Sequence, residues 1–124
     1  MNQDITKRIK QINTENKIWL IYLIIIAFSF YSNYLEKDYF LNNNLESKEK
    51  YRKINITIFT VITIVYLYFE KEAWDSLKEK NKNKKLKQYD TLAFIASSMI
   101  LLSGIIFLYI AIDDKNIEEE IAFN

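Results

Sequence analysis

Thr91 to Ile112, TLAFIASSMILLSGIIFLYIAI, runs for 22 residues without a charged side chain. At about 1.5 Å of rise per residue, a helix of that length spans roughly the 30 Å hydrocarbon core of a bilayer. Only a buried or a membrane-spanning helix accommodates it. Ile18 to Leu35 and Ile54 to Phe69, of 18 and 16 residues, are also free of charge, so all 17 Lys and Arg and all 16 Asp and Glu fall in the rest of the chain. A bilayer imposes this segregation, because a charge at its centre costs about 2.5–3.5 kcal/mol even on the lenient insertion scale.

The pattern predicts an all-α fold: a three-span transmembrane helical bundle running up-down-up, with helices 1 and 2 extending beyond the bilayer and no β structure. The 124 residues form a single integral membrane domain on this reading. Its spans are about 18–35, 54–69 and 91–112, followed by an acidic tail over 113–124. Residues 70–80 form an amphipathic stalk.

Turning each residue of the third span by about 100° brings Ala93, Ala96, Ser97, Ser103, Gly104 and Ala111 into an arc of roughly 120°. The other side carries Phe94, Ile95, Leu101, Leu102, Ile105, Ile106 and Tyr109, bulky groups suited to lipid. Lipid tails are as apolar as Leu, so helices in a membrane associate by close packing at small residues. The small-residue seam is therefore the expected helix-packing and interaction face, for the rest of this chain, another membrane protein or a second copy.

Composition removes most chemistry. Cys and His are absent, which excludes a disulfide, a thiol nucleophile, the commonest general base and the commonest metal ligand together. Pro is also absent and Gly occurs once, so no broken or re-entrant helix of the transporter kind is expected. A proton-coupled exporter needs an ionisable group within the apolar zone, and the three runs hold none. No catalytic residue, cofactor or metal is expected, and the chain reads as a non-enzyme. The tail, with Asp113, Asp114 and Glu118 to Glu120, offers hard-cation ligands on a terminus, a pattern that more commonly forms a solvated cap.

The termini of the helices are legible. Ile5, Ile9 and Ile12 recur at helical spacing among Lys7, Arg8, Lys10 and Lys17, which reads either as a short helix lying on an anionic membrane face or as a frayed basic terminus. A basic start before an apolar run also resembles a signal peptide, but this run is too long and too aromatic at its far end. Trp19, Tyr22, Tyr31 and Tyr34 mark the two headgroup levels of the first span. Asn42, Asn43 and Asn44 form the first turn, since Asn tolerates a left-handed backbone and caps a following helix. Glu46 with Lys50, and Glu49 with Lys53, support a helix starting outside the apolar run. Thr57, Thr60 and Thr63 need no ligand, because a Thr hydroxyl returns to the carbonyl one turn back. Tyr66, Phe69, Ala73 and Leu77, with Trp74 beside them, carry the amphipathic pattern to about Lys80. Asn81-Lys82-Asn83 reads as the second turn.

Three spans put the N-terminus and the second connection on one side with 11 Lys or Arg, and the first connection and C-terminus on the other with 6. The positive-inside rule then orients the chain in the cell membrane as a multi-pass protein with its N-terminus cytoplasmic and its C-terminus outside. Lys82, Lys84, Lys85 and Lys87 form a basic membrane-surface cluster facing anionic lipid, where each exposed cation gains about 1 kcal/mol. Nucleic acid is not expected as a partner, since no base-stacking platform accompanies that charge. Two functions fit: an accessory, regulatory or immunity-type subunit that docks helix to helix, or a self-assembling pore or holin-like protein. A pore requires a continuous polar stripe, and the Ser29–Asn33 and Thr57–Thr63 stripes are short and interrupted.

Overall fold

The computed structural model describes residues 3–79 and 83–115. Among these residues the chain is entirely helical, with α1 (Gln3–Asn42), α2 (Leu45–Lys78) and α3 (Lys84–Asp113) and no strand. All three helices are long and apolar enough to cross a membrane. Their 40, 34 and 30 residues correspond to about 60, 51 and 45 Å, each well beyond a 30 Å hydrocarbon core. Every helix therefore carries polar turns outside its charge-free run.

α1 differs from the expectation at its N-terminus. The basic segment is neither frayed nor a separate surface helix, because it joins the apolar run without a break. No Gly or Pro interrupts residues 3–42, and Thr14 even returns its hydroxyl to Lys10 O at 3.1 Å. Nothing local stops helix propagation there.

Two compact units divide the chain, one built from α1 and the first turns of α2 to Tyr51, the other beginning at Arg52 and containing the rest of α2 with α3. In the first unit the Asn triplet turns the chain as expected. Asn43 adopts φ 54°, the left-handed region that Asn tolerates better than most residues. Asn44 then caps α2, its Oδ1 accepting from the backbone N–H of Glu46 at 3.1 Å and of Ser47 at 3.3 Å. Glu46 pairs with Lys50 at 3.4 Å one turn on, and Glu46 near the start with Lys78 in the last turn complements the α2 dipole.

The second unit is an antiparallel helix pair. Its contacts run in opposite chain directions: Trp74 packs on Phe94, Glu70 meets Ser98, Tyr66 covers Gly104, Phe59 packs on Phe107 and Arg52 reaches Ile112. On α2 these partners are spaced four or seven residues apart, one face of a helix. Phe59 and Ala111 form the buried centre, with Ile56, Ile62, Phe107, Leu108 and Ile110 around them.

Candidate functional site

Along its apolar run α3 is buried or half-buried at Phe94, Ser97, Ser98, Leu101, Gly104, Phe107, Leu108, Ile110 and Ala111, and Phe94, Ser98, Gly104 and Phe107 among them meet α2. Positions 94, 97, 101, 104, 108 and 111 alternate between spacings of three and four residues, a mean period of 3.5. A stripe of that period drifts about 20° per heptad on a 3.6-residue helix. Ala93 and Ala111 coincide on a simple wheel, yet over the 18 positions between them the packed face rotates by about 50°. Consequently Gly104 and Ala111 are buried and Ser97 is half-buried, whereas Ala93, Ala96 and Ser103 are exposed. Phe94 and Leu101, assigned to lipid on the wheel, are half-buried, and the Phe94 ring lies 5.4 Å from that of Trp74.

Gly104 is where the helices come closest to excluding a side chain. A Cβ there would sit 2.9 Å from Tyr66 Cδ2, 3.2 Å from Tyr66 Cε2 and 3.5 Å from Thr63 Oγ1. Carbon atoms in contact prefer about 3.5–4.0 Å, so the Tyr66 ring already fills the space an alanine methyl would need. The seam at this level is occupied from within the chain.

Polar groups cross the pair at two levels. Midway along α3, Ser98 Oγ donates to Glu70 Oε1 at 2.6 Å and also lies 2.9 Å from Phe94 O, one turn back on its own helix. One hydroxyl proton serves two acceptors. Glu70 Oε2 is buried without a hydrogen-bond partner among the described residues. At the far end Arg52 Nη2 donates to Ile112 O at 3.1 Å. α3 has no basic residue in its last turn, so the cation that complements its carbonyl end comes from α2. The N-terminus of α3 is capped locally, with Asn83 Oδ1 accepting from Leu86 N at 2.8 Å.

Within the apolar runs, small hydroxyls bond to their own helices. Thr57, Thr60 and Thr63 donate to Lys53 O, Ile56 O and Phe59 O at 2.9, 2.7 and 2.7 Å. Ser29 and Ser103 do the same toward Ile25 O and Met99 O, at 2.8 and 3.0 Å.

Lys84, Lys85 and Lys87 are exposed in the first turns of α3, and Lys82 lies outside the described residues. Lys85 Nζ stands 6.0 Å from the Tyr89 ring centroid. Cations at a helix N-terminus oppose the macrodipole, so these lysines do not serve α3 stability. Of the acidic tail, Asp113 and Asp114 are described and Glu118 to Glu120 lie outside. Among the described residues no group of three His, Cys, Asp or Glu gathers as a metal site would.

The turn before α2 holds the densest polar cluster of the first unit, centred on Asp38. Its Oδ1 accepts from Asn42 Nδ2 at 2.6 Å, and its Oδ2 from Ser47 Oγ at 2.6 Å and Asn44 Nδ2 at 2.9 Å. These donors, the Ser47 hydroxyl foremost and then Asn42, hold the carboxyl below its ordinary value of 3.8. Lys48 Nζ lies 5.3 Å from the Tyr39 centroid beside it. The cluster locks a turn whose sequence signal was the Asn triplet alone.

No family model, curated protein or solved structure matches the chain.

Proposed function

We propose that the protein is a non-enzymatic integral membrane subunit. Its three helices cross the cell membrane up-down-up, with the N-terminus cytoplasmic and the C-terminus outside, and it acts by docking helix to helix against a membrane partner in an accessory, regulatory or immunity-type role. The observation that carries this reading is the combination of three long apolar helices with hydroxyls that return to their own helix in each charge-free run. The hydroxyls of Thr57, Thr60 and Thr63 turn back onto α2 instead of presenting a donor stripe. A conducting wall needs polar groups throughout its length, and these groups are committed elsewhere.

The docking face on this proposal is the outer flank of α3, Ala93, Ala96 and Ser103, small and exposed beside the occupied Gly104 level. Close backbone approach at small residues is what drives helix association in lipid. Lys82, Lys84, Lys85 and Lys87 hold the second connection at the anionic cytoplasmic leaflet. Planar-bilayer recording with purified protein tests the reading: silent membranes are expected, and discrete conductance steps would replace it with a self-assembling pore.

A further inference from the structure

The charge-free run of α2 ends at Phe69, but the register of α2 against α3 carries it further through the lipid. The hydrogen bond from Ser98 fixes the Glu70 carboxyl at the level of Ser98, which is about 10 Å inside the Thr91 end of the α3 run. Trp74 packs at the level of Phe94, still inside that run. Leu92, Ile95 and Met99, the large exposed side chains on the same turns of α3, suit lipid and not water. A core of about 30 Å centred on the α2 run instead, near Ile62, still reaches about 2 Å past Glu70. On either placement an ionisable group lies within the hydrocarbon, where such groups mark ion and proton paths.

Glu70 is half-buried, and its Oε2 has no hydrogen-bond partner among the described residues. Its charged neighbours on α2 are Lys71 and Asp75, both exposed, and Glu72, half-buried, with the Tyr66 phenol one turn before it. From Thr91 to Leu108, α3 brings no ionisable group against it. Burying an unpaired charge costs far more than burying a neutral acid. The oxygens around Glu70 are arranged for the neutral form. With a proton on Oε1, the acid donates to Ser98 Oγ across 2.6 Å, and the Ser98 hydroxyl donates to Phe94 O at 2.9 Å. Two O–H donors then serve two acceptors, where the ionised form has one donor for both. Oxygens of two side chains that share a hard cation at about 2.3–2.6 Å stand more than about 3 Å apart, so the 2.6 Å separation fits a proton and not a metal ion.

We propose that Glu70, with Ser98 and the Phe94 carbonyl, is an intramembrane proton-binding site in the cytoplasmic half of the bilayer. Loading forms one O–H bond on Oε1 and cancels one negative charge; release returns the Ser98 hydroxyl to the bare oxygen. The site rests on the membrane topology proposed above and goes beyond the docking role.

The full chain in nanodiscs is treated with dicyclohexylcarbodiimide, a lipid-soluble reagent that adds to protonated carboxyls, and the adduct is located by peptide mass. Adduct is expected on Glu70, declining as pH rises, and none on Glu46 or Glu49, which are exposed outside the apolar run. Glu70→Gln, whose amide donates to Ser98 Oγ as the acid does, should keep the fold by circular dichroism and lose the adduct. Its infrared spectrum at neutral pH should also lack a protonated-carboxyl band that the parent shows. Reaction of Glu70 only with a water-soluble carbodiimide, or a parent spectrum identical to that of Glu70→Gln in that band, would overturn the proposal. Protection of Glu70 by sodium at fixed pH would overturn it in favour of a metal ion. Failure of the topology is read separately, as a fluorophore at Leu102→Cys that brominated lipid does not quench, a single label that the Cys-free chain permits.

Discussion

Replacing Gly104 with alanine puts a methyl carbon 2.9 Å from Tyr66 Cδ2, about 0.6 Å inside the closest comfortable carbon contact. The half-buried Tyr66 ring must shift by a few tenths of an ångström to admit it, while Thr63 Oγ1, at 3.5 Å, is in ordinary contact. Overpacking of this kind costs about 1–3 kcal/mol, while alanine recovers up to about 1 kcal/mol of helix propensity. The net loss for Gly104→Ala is therefore about 0–2 kcal/mol. Gly104→Leu adds three further carbons with no space to take them and should exceed 3 kcal/mol by the same reasoning. Ile105→Leu, one position along on an exposed face, should stay within about 0.5 kcal/mol. Unfolding by a denaturing detergent, followed by circular dichroism of the purified chain in mild micelles, reads all three. Adding Tyr66→Ala to Gly104→Ala should recover part of the loss attributable to the clash, judged against Tyr66→Ala alone. If Gly104→Leu and Ile105→Leu unfold at the same detergent fraction, close α2–α3 approach at this level is refuted.

Ser98→Ala removes the hydroxyl that serves Glu70 Oε1 and leaves that carboxyl with neither oxygen bonded from α3, so the same assay should show a loss of about 1–3 kcal/mol. Asp38 has a lowered folded value, so its contribution is complete above the ordinary 3.8 and is lost as pH falls through the lower folded value. Midpoints measured from neutral pH down to about pH 2 should therefore drop below 3.8 in the parent by more than in Asp38→Ala, which lacks this group's share of the dependence. At φ 54°, Asn43→Gly should be neutral or slightly stabilising, whereas Asn43→Val should cost about 1–2 kcal/mol in the same unfolding curves.

Features set by neighbours one turn away were legible in the sequence. The Asn42–Asn44 turn, the start of α2 outside its apolar run, and the return of Thr57, Thr60 and Thr63 to their own carbonyls all follow from side-chain chemistry within four residues. The continuity of α1 was less so, since basic residues around Ile5, Ile9 and Ile12 suit several environments, and only the absence of a breaker decides it. Contacts between helices were hidden. Ser98 and Glu70 are 28 residues apart and Arg52 and Ile112 are 60 apart, and a one-residue change of register would separate both pairs. The seam shows the same limit within one helix: a wheel groups Ala93 with Ala111, but the drift of a packed stripe buries the second and exposes the first. Phe94 therefore packs on Trp74 at the level where an alanine face was expected.

An odd number of crossings requires that the two ends of the described chain lie on opposite sides of the membrane, and a chain without Cys reports this directly. Gln3→Cys and Lys115→Cys, each in the full protein, are treated in intact cells with a maleimide that cannot cross the membrane. Lys115→Cys should be labelled at once and Gln3→Cys only after the cells are opened. Labelling of both in intact cells, or of neither before lysis, would contradict three crossings with the N-terminus inside.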